Sequence, residues 1–165
     1  MNNKDQYRFN LLRKAVFKTF SERKKITQSI ENWKGEKFNY VLSGDDIAVR
    51  LFYESKIELQ NVVARIQIKN QFDEVVTTLN NYHCDNPFKI VKDKGSFLCK
   101  IPKIPFFEGV YKMDFSCLQH LEIVDHIISA GELIVEEGDF HGTGRLPKDK
   151  RGILLKNNWE NCDDV

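Results

Sequence analysis

Apolar and polar residues alternate with a period of two along most of this chain. In the segment 105–135, Tyr111, Met113, Phe115 and Cys117 alternate with Lys112, Asp114, Ser116 and Leu118. A strand with that pattern carries one apolar face and one mostly polar face. The segment reads as two antiparallel strands joined by an eleven-residue loop, with the turn Phe107-Glu108-Gly109 in front. Upstream, Ile47, Val49, Leu51 and Tyr53 alternate with Ala48, Arg50, Phe52 and Glu54. Val62, Ala64, Ile66 and Ile68 alternate with Val63, Arg65, Gln67 and Lys69. Shorter strands are predicted at 26–33, 38–42, 74–79, 88–91 and 96–101, the last with Phe97, Cys99 and Ile101 inward. Turn residues punctuate them at 34–36, 43–46, 70–73, 92–95 and 103–109. Turn signals roughly every eight to twelve residues in an all-strand chain predict a sandwich.

Both ends depart from this pattern. Phe9, Leu12, Val16 and Phe20 recur at helical spacing among Arg13, Lys14, Lys18, Arg23 and Lys24, which predicts a short basic amphipathic helix over 1–25. Such a helix serves membrane-surface or partner docking, or more simply links two domains. The sandwich then occupies 26–165. Near its end, 138–151 contains Gly138, Gly142, Gly144 and Pro147 and reads as a loop. The short apolar run 152–155 follows as a strand that can pair elsewhere, even in another protomer.

Composition narrows the function classes. The net charge of +1 hides eight Lys/Arg against two Asp/Glu in residues 1–25, and 17 against 22 in the remainder. A mildly acidic body argues against nucleic acid as the main partner. Cys84, Cys99, Cys117 and Cys162 lack CxxC spacing and a nearby His pair, so they read as reduced, buried small hydrophobes rather than metal ligands. No signal-peptide apolar region and no run of about 20 apolar residues is present, which fits a cytoplasmic setting.

No catalytic constellation emerges. The chain has no GxxxxGK[ST] phosphate loop, and His141-Gly142-Thr143-Gly144-Arg145 follows no strand-to-helix pattern, so it reads as a loop. His83, His120, His126 and His141 are scattered, without a nucleophile beside a base. The expectation is a non-enzyme with no cofactor and no metal. The polar side of the strands carries more information. Arg50, Phe52, Arg65, Gln67, Thr78, Lys100, Asp114 and His126 fall on one outer side or the other of two packed sheets. An outward ring covers the apolar C–H face of a sugar, and planar Arg, Gln and Asp groups bond vicinal hydroxyls in pairs. From this set, Arg50, Phe52, Arg65, Gln67, Thr78, Asp114 and His126 are the candidate carbohydrate-binding residues. The plainer reading is an ordinary solvated sheet face. Trp33 and Trp159 read as packing anchors, and Tyr82-His83 as a loop at the sandwich edge within a ligand's reach.

Set in order, these pieces resemble a known family. They run from Trp33-Lys34-Gly35-Glu36 through Leu42-Ser43-Gly44-Asp45-Asp46-Ile47-Ala48-Val49-Arg50, Ile66-Gln67-Ile68-Lys69 and Glu74-Val75-Val76-Thr77-Thr78. They continue with Gly95, Glu108-Gly109-Val110-Tyr111, Asp125, Leu133-Ile134-Val135-Glu136, Gly138, Gly152-Ile153-Leu154-Leu155 and Trp159. Over about residues 26–160 the chain resembles the C-terminal carbohydrate-binding domain of the ATP-binding subunit of O-antigen polysaccharide ABC exporters, the Wzt type. The resemblance implies an immunoglobulin-like antiparallel β-sandwich and a homodimer, with the last strand available for exchange. It implies recognition of a modified non-reducing end of lipid-linked O-antigen glycan, beside the ATPase and transmembrane subunits, at the cytoplasmic side of a Gram-negative inner membrane. Two other readings stand beside it. One is a docking or dimerisation module without a sugar site. The other is a glycan-cleaving enzyme, which needs two carboxylates facing each other roughly 5–10 Å apart.

Overall fold

The computed structural model of the chain describes residues 29–84 and 88–160. The basic helix expected over 1–25 and Cys162 lie outside the described residues. Seven strands are present: β1 (Ser29–Glu31), β2 (Val41–Leu42), β3 (Ile47–Lys69), β4 (Val75–Asn80), β5 (Phe88–Ile101), β6 (Gly109–Gln119) and β7 (Glu122–Glu136). They form an immunoglobulin-like β-sandwich of two layers, with no helix among the described residues.

The 23-residue β3 organises both layers. It contains no Gly or Pro and is rich in Ile and Val, so nothing in it interrupts extended backbone. Its first part pairs with β1 and with residues 93–101 of β5, and its last part pairs with β4 and β6. Ile47, Val49 and Leu51 face the core in the first part, but Val62, Ile66 and Ile68 do so in the last. Odd positions thus give way to even ones. A period-two strand can change parity only by inserting or bulging residues. The register with β5 shifts between Ser55 and Leu59, Asn61 takes a left-handed φ of 51°, and Ser55 Oγ donates to the Ile57 carbonyl at 2.6 Å. Ser55 and Leu59 are still buried at odd positions, so the phase changes at Asn61. Ile66 and Ile68 then share one core with Ile47, Val49 and Leu51, completed by Val41, Met113, Leu133 and Val135 and by Ile104 and Phe106 from the β5–β6 connection. Val62 packs with Leu59 and Val91 in a second cluster.

Several expectations change. The β6–β7 hairpin has a two-residue turn, His120-Leu121, with φ of 51° and 64°, in place of an eleven-residue loop. This is the left-handed pair of a type I′ turn without its usual glycine, so the sequence hid it. The predicted turn at 92–95 lies within β5. Gly95 sits opposite Tyr53, and a side chain there would strike the Tyr53 ring, which stacks on Phe97 at 4.6 Å. The glycine makes room for an aromatic stack rather than a reversal. The run 152–155 forms no strand and is held by the Leu154 N–H donating to the Pro105 carbonyl at 2.7 Å. Trp159 is 89% exposed and anchors nothing, whereas Trp33 donates its Nε1 proton to the Ile47 carbonyl at 3.2 Å. Cys84 is exposed, contrary to the buried expectation, while Cys99 and Cys117 are half-buried.

Short connections lock the base of the sandwich. The Gly44 N–H donates to the Ile104 carbonyl at 2.9 Å, and Ser43 Oγ donates to the Phe106 carbonyl at 2.5 Å. Gly138 lies against the Ser43 backbone so closely that a Cβ would overlap the Ser43 carbonyl oxygen. Backbone on both sides leaves no flexible group to yield. Gly138→Ala should therefore cost about 1–3 kcal/mol. Urea unfolding should show a lower midpoint with an unchanged slope.

Candidate binding surface

Two registered rows of polar side chains cross the outer face of the β4–β3–β6–β7 layer. One runs Asn80–Arg65–Ser116–His126, the other Thr78–Gln67–Asp114. Each follows from pairing register, because directly opposed residues share a face. Neighbouring strands about 4.8 Å apart and i, i+2 rows about 6.7 Å apart make a patch on the order of 14 by 7 Å. Five of the seven candidate residues, Arg65, Gln67, Thr78, Asp114 and His126, meet here.

The members differ in what they leave open. Ser116 Oγ lies 2.8 Å from His126 Nδ1, and Arg65 Nη2 donates to that same hydroxyl at 3.1 Å. Gln67 Nε2 is 3.5 Å from Thr78 Oγ1, at the outer limit of a hydrogen bond, so both groups retain capacity for a ligand. Asp114 is committed to its neighbours on this face: it is 2% exposed, forms an ion pair with Lys69 and accepts the Ser129 N–H at 2.8 Å. Ser129, at φ 49°, belongs to a bulge of β7 that the carboxylate pins. Burial alone would raise the Asp114 carboxyl, but the Lys69 ammonium and the Ser129 N–H outweigh it and hold it below the usual range.

Arg50 and Phe52 lie elsewhere, on the outer face of the layer built by β1, β5 and the first part of β3. The buried carboxylate of Glu31 accepts Arg50 Nε at 2.9 Å and Nη2 at 2.6 Å, and Arg50 Nη1 reaches Ser96 Oγ at 3.1 Å. Phe52 is exposed opposite Ser96. The parity change in β3 is what divides the seven candidates between two layers.

Two features add to the sequence reading. The Tyr82-His83 loop adjoins the first row. His83 N–H donates to Asn80 Oδ1 at 2.8 Å, the Asn81 side chain bonds the Ala64 N–H and the Val62 carbonyl, and the Tyr82 ring is 53% exposed. A groove of about 630 Å³ lies beyond the β3–β4 turn, lined by Asn70, Phe72, Glu74, Tyr111, Lys150 and Arg151 among others. Its one legible signal was Phe72, an aromatic in a turn that offers nothing to bury it, and it is 72% exposed.

Two buried carboxylates give opposite pH signatures. Asp114→Asn should cost about 2–3 kcal/mol at neutral pH, under the 3–5 kcal/mol of a fully buried pair, because the Lys69 side chain is 19% exposed. The Asp114 carboxyl is depressed on folding, so its stabilisation is complete above the unfolded value near 3.9 and is lost as pH falls through the folded one. Asp125, 4% exposed opposite Cys117, is pushed up to about 6 by burial, only partly offset by the N–H of His126. Its folded form binds more protons, so stability should fall as pH rises from roughly 4 to 6 and stay level above. Asp125→Asn should abolish that slope in urea titrations across the pH range.

A family model described as the Wzt C-terminal domain matches residues 25–146. No curated protein matches. Among solved structures, the crystal structure of the C-terminal domain of Wzt aligns with a TM-score of 0.66 at 14% identity, covering 84% of this chain and 83% of that one. At that identity the alignment establishes the fold, and the family match covers well over half of the chain. The alternation that builds the core, the registered strands and the family match agree, and the chain belongs to the Wzt C-terminal domain family.

Proposed function

We propose that this is a non-catalytic carbohydrate-binding domain that recognises O-antigen polysaccharide for export by an ABC transporter. In this reading it works as a homodimer beside the exporter's ATPase and transmembrane subunits, at the cytoplasmic face. The observation that carries the reading is the pair of registered polar rows on one sheet face, with the exposed Tyr82 ring at their edge. Gln67, Thr78, Arg65 and His126 offer directional donors and acceptors to vicinal hydroxyls, and Tyr82 offers a stacking plane. Asp114 and Lys69 act beside them as the fixed support. Arg50 and Phe52 offer a lesser polar and aromatic pair on the opposite layer. Each sugar hydroxyl exchanges bonds with water at little net gain, so affinity per site is modest. Selection comes from site groups left unpaired by a wrong glycan, at about 1–3 kcal/mol each.

A docking role draws on a different observation. Val110 pairs with Ile134 at the far end of the same outer face, Leu42 lies alongside, and all three are exposed. That apolar end is compatible with an ABC-subunit contact while the polar end holds glycan.

Amide NMR titration with lipid-free O-polysaccharide tests the proposal, beside polymer trimmed at its non-reducing ends. Shifts should centre on Gln67, Thr78 and Tyr82. Gln67→Ala should weaken binding by about fivefold to tenfold, one hydrogen bond's worth. Shifts confined to Leu42, Val110 and Ile134 on adding the exporter's ATPase, with none from polysaccharide, would leave docking as the function.

A further inference from the structure

The loop 139–145 carries His141-Gly142-Thr143-Gly144-Arg145, which the strand-face reading leaves unused. It forms a built wall. The Asp139 carboxylate accepts the N–H groups of Gly142, Thr143 and Gly144 at 2.8, 3.2 and 2.6 Å. Gly142 and Gly144 both take left-handed φ values, 71° and 72°, which explains a glycine at each. Phe140 is buried and pins the loop to the body.

Between this loop, Lys103 and residues 156–157 lies a pocket of about 420 Å³. Lys103, Arg145 and Lys156 line it with His141, Thr143 and Phe140, and no acidic residue does. The three cations come from three separate segments, and none has an ion-pair partner among the described residues. Lys69, Lys94, Lys112 and Lys150 all have one. Two acids bond the pocket's segments without lining it: Asp139 holds the backbone of its own loop and interacts with His141, and Asp46 accepts the Lys103 N–H at 2.9 Å. The Phe140 and His141 rings meet edge to face at 5.2 Å and give one wall an apolar side. Thr143 Oγ1 accepts the Arg145 N–H, and its own proton can turn toward a ligand.

We propose that this pocket binds an oxyanion group, carboxylate or phosphate, carried on a sugar. Three cations lining a pocket that no acidic side chain lines favour an anion, and charge-assisted bonds from a guanidinium are strong and directional. A volume of this size with a ring wall exceeds what a bare ion fills, so the anion comes attached to a larger body. The acidic balance of residues 26–165 disfavours a nucleic acid as that body. The carbohydrate-binding reading supplies only the carrier. The anion site stands on its own charges.

The test is amide NMR of the full chain with glucose 1-phosphate, sodium glucuronate and neutral glucose at equal ionic strength. Both anions should give saturable shifts at Thr143, Gly144, Arg145 and Lys156 that glucose does not. The stronger of the two identifies which oxyanion the pocket prefers. Arg145→Gln with Lys156→Gln should weaken binding about tenfold, the loss of charge-assisted bonds. Shifts equal for glucose, unchanged in that variant or spread evenly over all surface lysines would overturn the proposal, as would tighter binding of a short RNA. Retained anion shifts without polysaccharide binding would overturn only the carbohydrate reading. Polysaccharide shifts at Gln67 without anion shifts at Arg145 would overturn only the anion site.

Discussion

The structure depends on a change of parity inside one strand. β3 must present Ile47, Val49 and Leu51 to the core in one layer and Val62, Ile66 and Ile68 in the other. Without the change of phase at the left-handed Asn61, between buried Leu59 and buried Val62, one of these sets would face solvent. The cost of disrupting a few ladder hydrogen bonds is small against burying three branched side chains, at about 1.5–3 kcal/mol each. The same change of phase turns Arg50 and Phe52 to one outer face and Arg65 and Gln67 to the other. Core and surface are therefore fixed together.

The polar face is made stiff from within. Asp114 sits at the centre of its layer, where a carboxylate without partners would be expensive. Lys69 along β3 and the Ser129 N–H in the β7 bulge satisfy it, and in doing so hold three strands in one register. Such a buried pair adds little net stability, since desolvating both ions offsets most of their attraction. Its effect lies in geometry: its bonds to Lys69 and Ser129 tie the three strands that space the rows. The sugar site proposed for this face would benefit, because ordering a shallow site on binding would consume much of a modest affinity.

Alternation carried most of the fold into the sequence. The core of the layer built by β3, β4, β6 and β7 and the inward set Phe97, Cys99 and Ile101 follow directly from period two. What failed to show was backbone that breaks its own rule. His120-Leu121 makes a turn that normally advertises itself with glycine, and Gly95 stands where a turn is expected but serves the Tyr53 ring. The candidate residues were legible as outward and polar, since parity sets the face. Their grouping was not, because it depends on a bulge within Ser55–Asn61, a segment of ordinary polar and apolar residues. Phe72, Lys150 and the 139–145 pocket come together through loops, whose contacts leave no periodic trace.

A fold shared with the C-terminal domain of Wzt at 14% identity shows how loosely sequence is tied to this architecture. Inward positions need only apolar bulk at the right parity, and many sequences meet that demand. Outward positions and loops are then free to vary with the ligand. The division of labour proposed for this chain would follow from that freedom. Strand-borne groups such as Gln67 and Thr78 are spaced by the hydrogen-bond ladder and suit a repeating pattern of hydroxyls. Loop-borne cations such as Arg145 and Lys156 are positioned by turns and chain reversals, so they can converge on a single charge without perturbing the ladder. Neutral pattern and ionic substituent would thus be read by separate parts of one rigid body, each adjustable without the other.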